Sequence, residues 1–185
     1  MGKEKGAKAA EAEEAAKEEA RGQRKNEKGE PDIAPELWIN AVKEPLEKAF
    51  AENRLVEAAR ILEDGGVEGW WIPAYIAKAH PEITSIEKAL ENPKLFPAPE
   101  KPERGGVMNC PAGWNCQITT ANLYRALKAD EKGFDLVDSG SAAGLDGSIA
   151  NAYERNQGWL GYYWAPTAIL GKYDMVKLPF EKPLD

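Results

Sequence analysis

The stretch Gly106-Val107-Met108-Asn109-Cys110-Pro111-Ala112-Gly113-Trp114-Asn115-Cys116-Gln117 decides how the chain reads. Residues 106–109 form a short apolar run that fits a strand. Pro111 and Gly113 mark a turn. From residue 117 to 129 the apolar residues Ile118, Ala121, Leu123, Ala126 and Leu127 recur with a helical rhythm. Strand, tight loop and helix, in that order, are the building unit of an α/β fold. Working outward, the alternation repeats. Strands are expected at 70–75, 134–137, 159–164 and 175–179. Residues 70–75 lead directly into 76–80, and helices are expected from a Ser85 cap to about residue 91 and at 145–155. Residues 93–102 read as a proline-rich loop. Upstream, 40–53 reads as an amphipathic helix interrupted early by Pro45. Residues 55–62 read as strand or helix, with strand favoured because Asp64-Gly65-Gly66 ends the run sharply. From about residue 54 onward this pattern favours a mixed or parallel sheet flanked by helices.

Residues 1–30 are almost all Ala, Glu, Lys, Gly and Arg. Residues 7–20 have strong helix propensity but no apolar stripe. This segment is expected to be a solvated helix or a disordered tail. It shows no apolar run of the kind a signal peptide carries. The formal net charge of −7 argues against a nucleic-acid partner, because binding a phosphate backbone relies on clustered Lys and Arg. No apolar run approaches the length of a membrane span.

The two cysteines, Cys110 and Cys116, lie six positions apart. They are easily bridged if the intervening residues form a turn. Closing so short a loop is worth about 2–2.5 kcal/mol on the chain-entropy estimate, and a bridge implies an oxidising compartment. His80 is the sole histidine. With Pro81 after it, it reads as a surface loop residue. No nucleophile–base pair and no metal-ligand set emerges, so catalytic residues, metal ligands and cofactors are all expected to be absent. Ser139-Gly140-Ser141-Ala142-Ala143-Gly144 lacks the spacing of a P-loop or a dinucleotide fingerprint. It reads as a strand-to-helix turn whose amides could still touch a ligand.

Six tryptophans stand in the chain, three of them in turns beside Pro, Gly or Cys: Trp38, Trp114 and Trp164. Indole faces attract cations that cannot donate hydrogen bonds, above all quaternary ammonium groups. Trp114 precedes a helix for which Asn115 is a plausible N-cap. A helix start accepts a carboxylate and the indole accepts a cation, so a zwitterion fits both. The plainer reading is a braced turn with Trp114 packed on it. Trp164 precedes Ala165-Pro166 and falls at the carboxyl end of a strand, where ligands bind in open α/β sheets. Its alternative role is an aromatic plug over the core. Trp38 taken alone reads as a core or staple residue. Trp70, Trp71 and Trp159 read as packing.

Four stretches together resemble the glycine betaine/proline betaine substrate-binding proteins of ABC importers. They are Gly29-Glu30-Pro31-Asp32-Ile33-Ala34-Pro35-Glu36-Leu37-Trp38, Gly69-Trp70-Trp71-Ile72-Pro73, the loop Cys110 to Cys116, and Gly161-Tyr162-Tyr163-Trp164-Ala165-Pro166. The most specific part is a tryptophan inside a Cys-x5-Cys loop, followed some fifty residues later by aromatic-aromatic-Trp-x-Pro. The resemblance implies a two-lobed periplasmic-binding-protein fold of the second type. It implies that Trp38, Trp114 and Trp164 form a box for a trimethylammonium group. It implies that backbone amides of Asn115 and Cys116 hold the carboxylate, and that Cys110 and Cys116 form the disulfide found in part of the family. Some members carry a histidine four residues after the first tryptophan. Here Val42 stands there, with Asn40 as a substitute.

On this resemblance residues 1–30 are a tail, 31–66 a remnant of lobe one with the crossover, 67–165 lobe two, and 166–185 the start of the return. The chain is expected to be truncated at both ends relative to the family. The implied ligands are glycine betaine, proline betaine, choline or carnitine, the implied partner is an ABC permease, and the implied location is periplasmic or extracytoplasmic. A second reading is a non-binding lobe that folds and self-associates. With one peripheral histidine and no metal set, an enzyme is not expected.

Overall fold

The structure is a computed structural model that describes residues 33–34, 37, 39, 42–59 and 65–181. The tail at 1–30, Trp38, Asn40 and the second half of the strand expected at 55–62 lie outside the described residues. The chain divides into two compact units. One comprises residues up to 65 together with 113–115, and the other comprises 66–112 with 116 onward.

The described part of the first unit is built on helix α1 (Lys43–Ala51). Pro45 does not interrupt it. It occupies the third helical position, where the backbone N–H has no intrahelical acceptor to lose. Leu46 and Ala49 face inward with Val42. The helix stops at Asn53, whose φ of 55° is the left-handed conformation asparagine tolerates at a helix end. The strand expected from residue 55 does not form over 55–59. That segment is exposed, with Val56 at 83 %. Its Glu and Ala content does not favour a strand.

The second unit is a five-stranded sheet with the order β3-β2-β4-β1-β5. Its strands are β1 (Val67–Pro73), β2 (Gly105–Met108), β3 (Phe134–Val137), β4 (Gly161–Ala165) and β5 (Met175–Lys177). β2 runs parallel to both β3 and β4, while β1 runs antiparallel to β4 and β5. Four strands therefore share one direction and β1 opposes them, giving the mixed sheet expected. Among the described residues five helices connect these strands along the chain: α2 (Ala74–Ala79), α3 (Ile86–Ala89), α4 (Asn115–Ala126), α5 (Ala142–Glu154) and α6 (Ala168–Lys172). Helix α6 was not expected. Thr167 caps it, its Oγ1 accepting a hydrogen bond from the Leu170 amide at 3.3 Å. Ser85 and Ser141 cap α3 and α5 in the same way.

Trp70 and Trp71 point to opposite faces of β1, and both are buried, at 1 % and 8 % exposure. Two buried faces mean that the sheet is covered on both sides where β1 crosses it. The Trp71 indole N–H donates to the Tyr163 carbonyl at 2.9 Å. Trp159 is also buried, and its N–H donates to Ser148 Oγ at 2.8 Å. All three tryptophans read as packing are in the core. Helix α5 buries Leu145, Ile149 and Ala152, spaced four and three residues apart on one face.

Helix α4 keeps part of the expected pattern. Its buried residues are Cys116 and Thr120, with Leu123, Tyr124 and Leu127 half-buried along the same face. Ile118, counted as part of the apolar rhythm, is 44 % exposed. The proline-rich loop is tied to the sheet by Arg104. Its Nε donates to Asp135 at 2.6 Å and its guanidinium reaches Asp130 at 2.7 Å and the Phe134 carbonyl at 2.8 Å.

Candidate ligand-binding site

The parallel strands β2 and β3 end side by side, and β4 begins where β2 stops, since Met108 pairs with Gly161. The last residues of β4 therefore project past the carboxyl end of β2, while β1 pairs with them on the other side. Trp164 sits on that projecting segment, half-buried, and opposite Glu68 of β1. Its ring stacks on Tyr163 with centroids 4.6 Å apart and an interplanar angle of 29°. Tyr162, two residues before it, lies 6.1 Å away at 28°. The strand then turns at the cis Ala165–Pro166 bond.

Both tyrosines are pinned. The Tyr163 hydroxyl donates to Asp146 of α5 at 2.5 Å, and the Tyr162 hydroxyl donates to Glu68 at 2.5 Å. Burial, and then the accepting carboxylates, push both phenols far above the ordinary value of 10. Tyr75, whose hydroxyl donates to the carbonyls of Ala152 and Gln157, is pushed up to about 12, by burial and then by Tyr153. The rings next to Trp164 thus stay neutral at any physiological pH. The consequence for stability has a definite sign. In the unfolded chain these phenols ionise near 10, while the fold holds their protons. Their contribution is complete below pH 10 and is lost as pH rises above it. The denaturation midpoint is expected to fall between pH 10 and about 12, together with a delayed tyrosinate absorbance in the folded protein.

Trp114 lies on the loop closed by the Cys110–Cys116 disulfide, whose Cα atoms are 5.5 Å apart. Gly113 adopts φ 86°, a conformation glycine supplies without steric cost. Cys110 and Cys116 are buried, and Trp114 is 42 % exposed. The buried Asn109 organises the entry to the loop. Its side-chain oxygen accepts from the Cys110 amide at 2.9 Å, and its own amide N–H donates to the Val137 carbonyl at 2.8 Å. Asn115 is not the N-cap but the first residue of α4. The helix starts one position earlier than the sequence indicates, which places both Asn115 and Cys116 in the first turn. Amides there have no intrahelical acceptor. Replacing both cysteines with serine is expected to lower the unfolding free energy by about 2 kcal/mol, read from urea denaturation.

Of the residues singled out in the sequence, Cys110 and Cys116 are joined. Trp164 is brought together with Tyr162 and Tyr163. Trp114 and Asn115 group with the first unit and Trp164 with the second. Trp38 and Asn40 lie outside the described residues. The sequence reading missed Glu68 and Asp146, which hold the tyrosines. The signal for Glu68 was available only in the pairing register. Among the described residues no group of His, Cys, Asp or Glu is placed to hold a metal ion, and no helix is long and apolar enough to cross a membrane.

A family profile described as the substrate binding domain of ABC-type glycine betaine transport systems matches residues 3–184. A comparison with curated proteins gives no match. Among solved structures, a choline binding protein of an ABC transporter in an unliganded, semi-closed conformation aligns with a TM-score of 0.51 and 17 % identity. It covers 77 % of this chain and 45 % of its own. A choline binding protein in complex with choline aligns with a TM-score of 0.50 and 18 % identity, covering 72 % and 43 %. The glycine betaine/L-proline-binding protein of Borrelia burgdorferi gives 0.49 and 21 %, covering 63 % and 39 %. The chain thus spans less than half the length of each of these proteins. The two choline binding proteins share the α/β fold described above, and the profile match over nearly the whole sequence places the chain in the family of substrate-binding domains of ABC-type glycine betaine transport systems.

Proposed function

We propose that the chain serves in the substrate-binding component of an ABC importer and takes a quaternary ammonium osmolyte such as glycine betaine. The observation that carries this reading is Trp164, half-buried at the carboxyl end of β4 and stacked on a neutral, pinned tyrosine. A ring held in that way offers a cation face whose orientation is fixed before the ligand arrives. In this reading Trp38, Trp114 and Trp164 receive the trimethylammonium group, the backbone amides of Asn115 and Cys116 receive a carboxylate, and Asn40 substitutes for the histidine that some family members use. Residues 67–165 then act as the second lobe, 31–66 as the crossover with part of the first, and 166–185 as the start of the return. The partner is a membrane permease, and the location is extracytoplasmic, which is compatible with the disulfide. Support comes from the family and from the choline complex among the solved structures.

The test is calorimetric titration of the chain with glycine betaine, proline betaine, choline and carnitine. Saturable binding of at least one, accompanied by a change in tryptophan fluorescence, is the expected result. Heats no larger than those of dilution for all four would overturn the reading. A second reading, self-association without ligand binding, is favoured by the exposed Ile33, Ile39 and Val56 of the first unit. It requires a concentration-dependent dimer in sedimentation and no response to any of the four compounds.

A further inference from the structure

The pairing register places Glu68 directly opposite Trp164. Residues opposite one another in an antiparallel pair project to the same face, with their Cβ atoms about 4.5–5.5 Å apart. Tyr162, two positions before Trp164 on β4, belongs to that face as well. Its hydroxyl donates to Glu68 Oε1 at 2.5 Å. That neutral phenol gives Glu68 a hydrogen bond but no opposite charge. No ion pair involves Glu68 among the described residues, although Lys177 lines the same cleft of about 410 Å³ beside it. Glu68 is solvent-exposed, so it can be reached. The local arrangement is a carboxylate that makes no ion pair with the described residues, opposite an indole in the strand register.

We propose that Glu68 is a specificity-determining residue that biases the Trp164 face toward ligands with a net positive charge, of the choline type, over zwitterions of the betaine type. The inference rests on the reading of Trp164 as a cation-binding face. The physics is a difference between two ligands that present the same trimethylammonium group. A carboxylate close to that group attracts it in both. In a betaine, the same carboxylate also repels the ligand's own carboxylate a few Å away, which cancels part of the gain. In choline nothing cancels it. Because Glu68 is exposed, its field is screened by water and salt. The expected bias is therefore modest, about fivefold in relative affinity, which corresponds to about 1 kcal/mol.

The experiment compares the full chain with its Glu68→Gln variant, titrating choline chloride and glycine betaine separately at low and at high salt. Glutamine keeps the shape of the side chain and can still accept the Tyr162 hydrogen bond. Choline is expected to weaken about fivefold in the variant, while glycine betaine is unchanged or tighter, and the difference should shrink at high salt. Equal weakening of both ligands overturns the proposal, since that marks a structural role through Tyr162. The variant Tyr162→Phe separates the two causes further, because it keeps the carboxylate and removes the hydrogen bond. If Tyr162→Phe alone reproduces the shift in preference, charge is not the cause and the proposal fails. If the unmodified chain binds neither compound, the reading of Trp164 as a cation face fails, and this inference falls with it. If the unmodified chain binds both and Glu68→Gln changes nothing, only this inference fails.

Discussion

Replacing Trp164 with alanine is expected to lower affinity for a quaternary ammonium ligand by about 30-fold or more. A desolvated cation–π contact with tryptophan contributes about 2 kcal/mol or more, and that energy corresponds to the fold-change. The loss should fall on binding much more than on folding. Trp164 is half-buried and near the end of β4, whereas Trp70, Trp71 and Trp159 fill the core. Trp164→Phe keeps an aromatic face that can still stack on Tyr163, so it should retain part of the affinity. Isothermal calorimetry with glycine betaine and choline reads the effect directly, and near-ultraviolet circular dichroism monitors the fold. An unchanged dissociation constant in Trp164→Ala would remove Trp164 from the site. Trp114→Ala is expected to behave similarly, with even less effect on stability because that indole is 42 % exposed.

The second large effect concerns folding. Gly161→Ala is expected to cost about 3 kcal/mol of stability, with a correspondingly lower urea midpoint. A methyl group built at Gly161 would lie 2.5 Å from Met108 Cβ and 2.6 Å from the Met108 carbonyl oxygen. Backbone cannot yield as the end of a flexible side chain can. The contact is also in a critical place, because Met108–Gly161 is the register pair that joins β2 to β4 and so links the two halves of the sheet. A contrasting control is Gly147 of α5, where an added methyl meets nothing within 4 Å. Gly147→Ala should leave stability unchanged or raise it slightly, since alanine is the better helix former. Equal effects at the two positions would show that close strand approach is not what requires glycine at 161.

The sheet was legible because its strands are short apolar runs between strong turn signals. The strand 134–137 was read with its observed bounds, since Gly133 precedes it and Asp138-Ser139-Gly140 follows. The capped helices were legible for a related reason. A serine before an apolar run declares its own role, as Ser85 does. What failed did so where the local pattern was mixed. Residues 55–59 carried an apolar beginning, yet they do not pair as a strand. The apolar rhythm of 117–129 identified a helix and two of its packing residues, Leu123 and Leu127, but it also counted the exposed Ile118 and did not include Thr120, which is buried.

The aromatic residues divide in the same way. Trp114 and Trp164 stand out in the sequence because tryptophan is costly and both sit beside chain-reversing residues. The cysteine pair stands out because six positions is a short span to bridge. Neither fact says what holds an indole in place. Glu68 and Asp146 are 96 and 18 residues distant from Trp164 in the numbering, and each acts through a tyrosine hydroxyl. Acidic residues are common enough in this chain that none is conspicuous on its own.

By itself, the sequence determined the class of fold, the loop between the two cysteines and the packing role of Trp70, Trp71 and Trp159. These depend on local composition and on spacing along the chain, where turns, caps and short loops are set by near neighbours. The tertiary structure decided the register between β1 and β4, the face on which α4 packs and the pinning of Tyr162 and Tyr163 by distant carboxylates. Pairing across a sheet depends on which strands meet and at what offset, and a shift of one residue exchanges its two faces. That is why a glutamate unremarkable in the sequence becomes the neighbour of Trp164 once β1 and β4 are aligned.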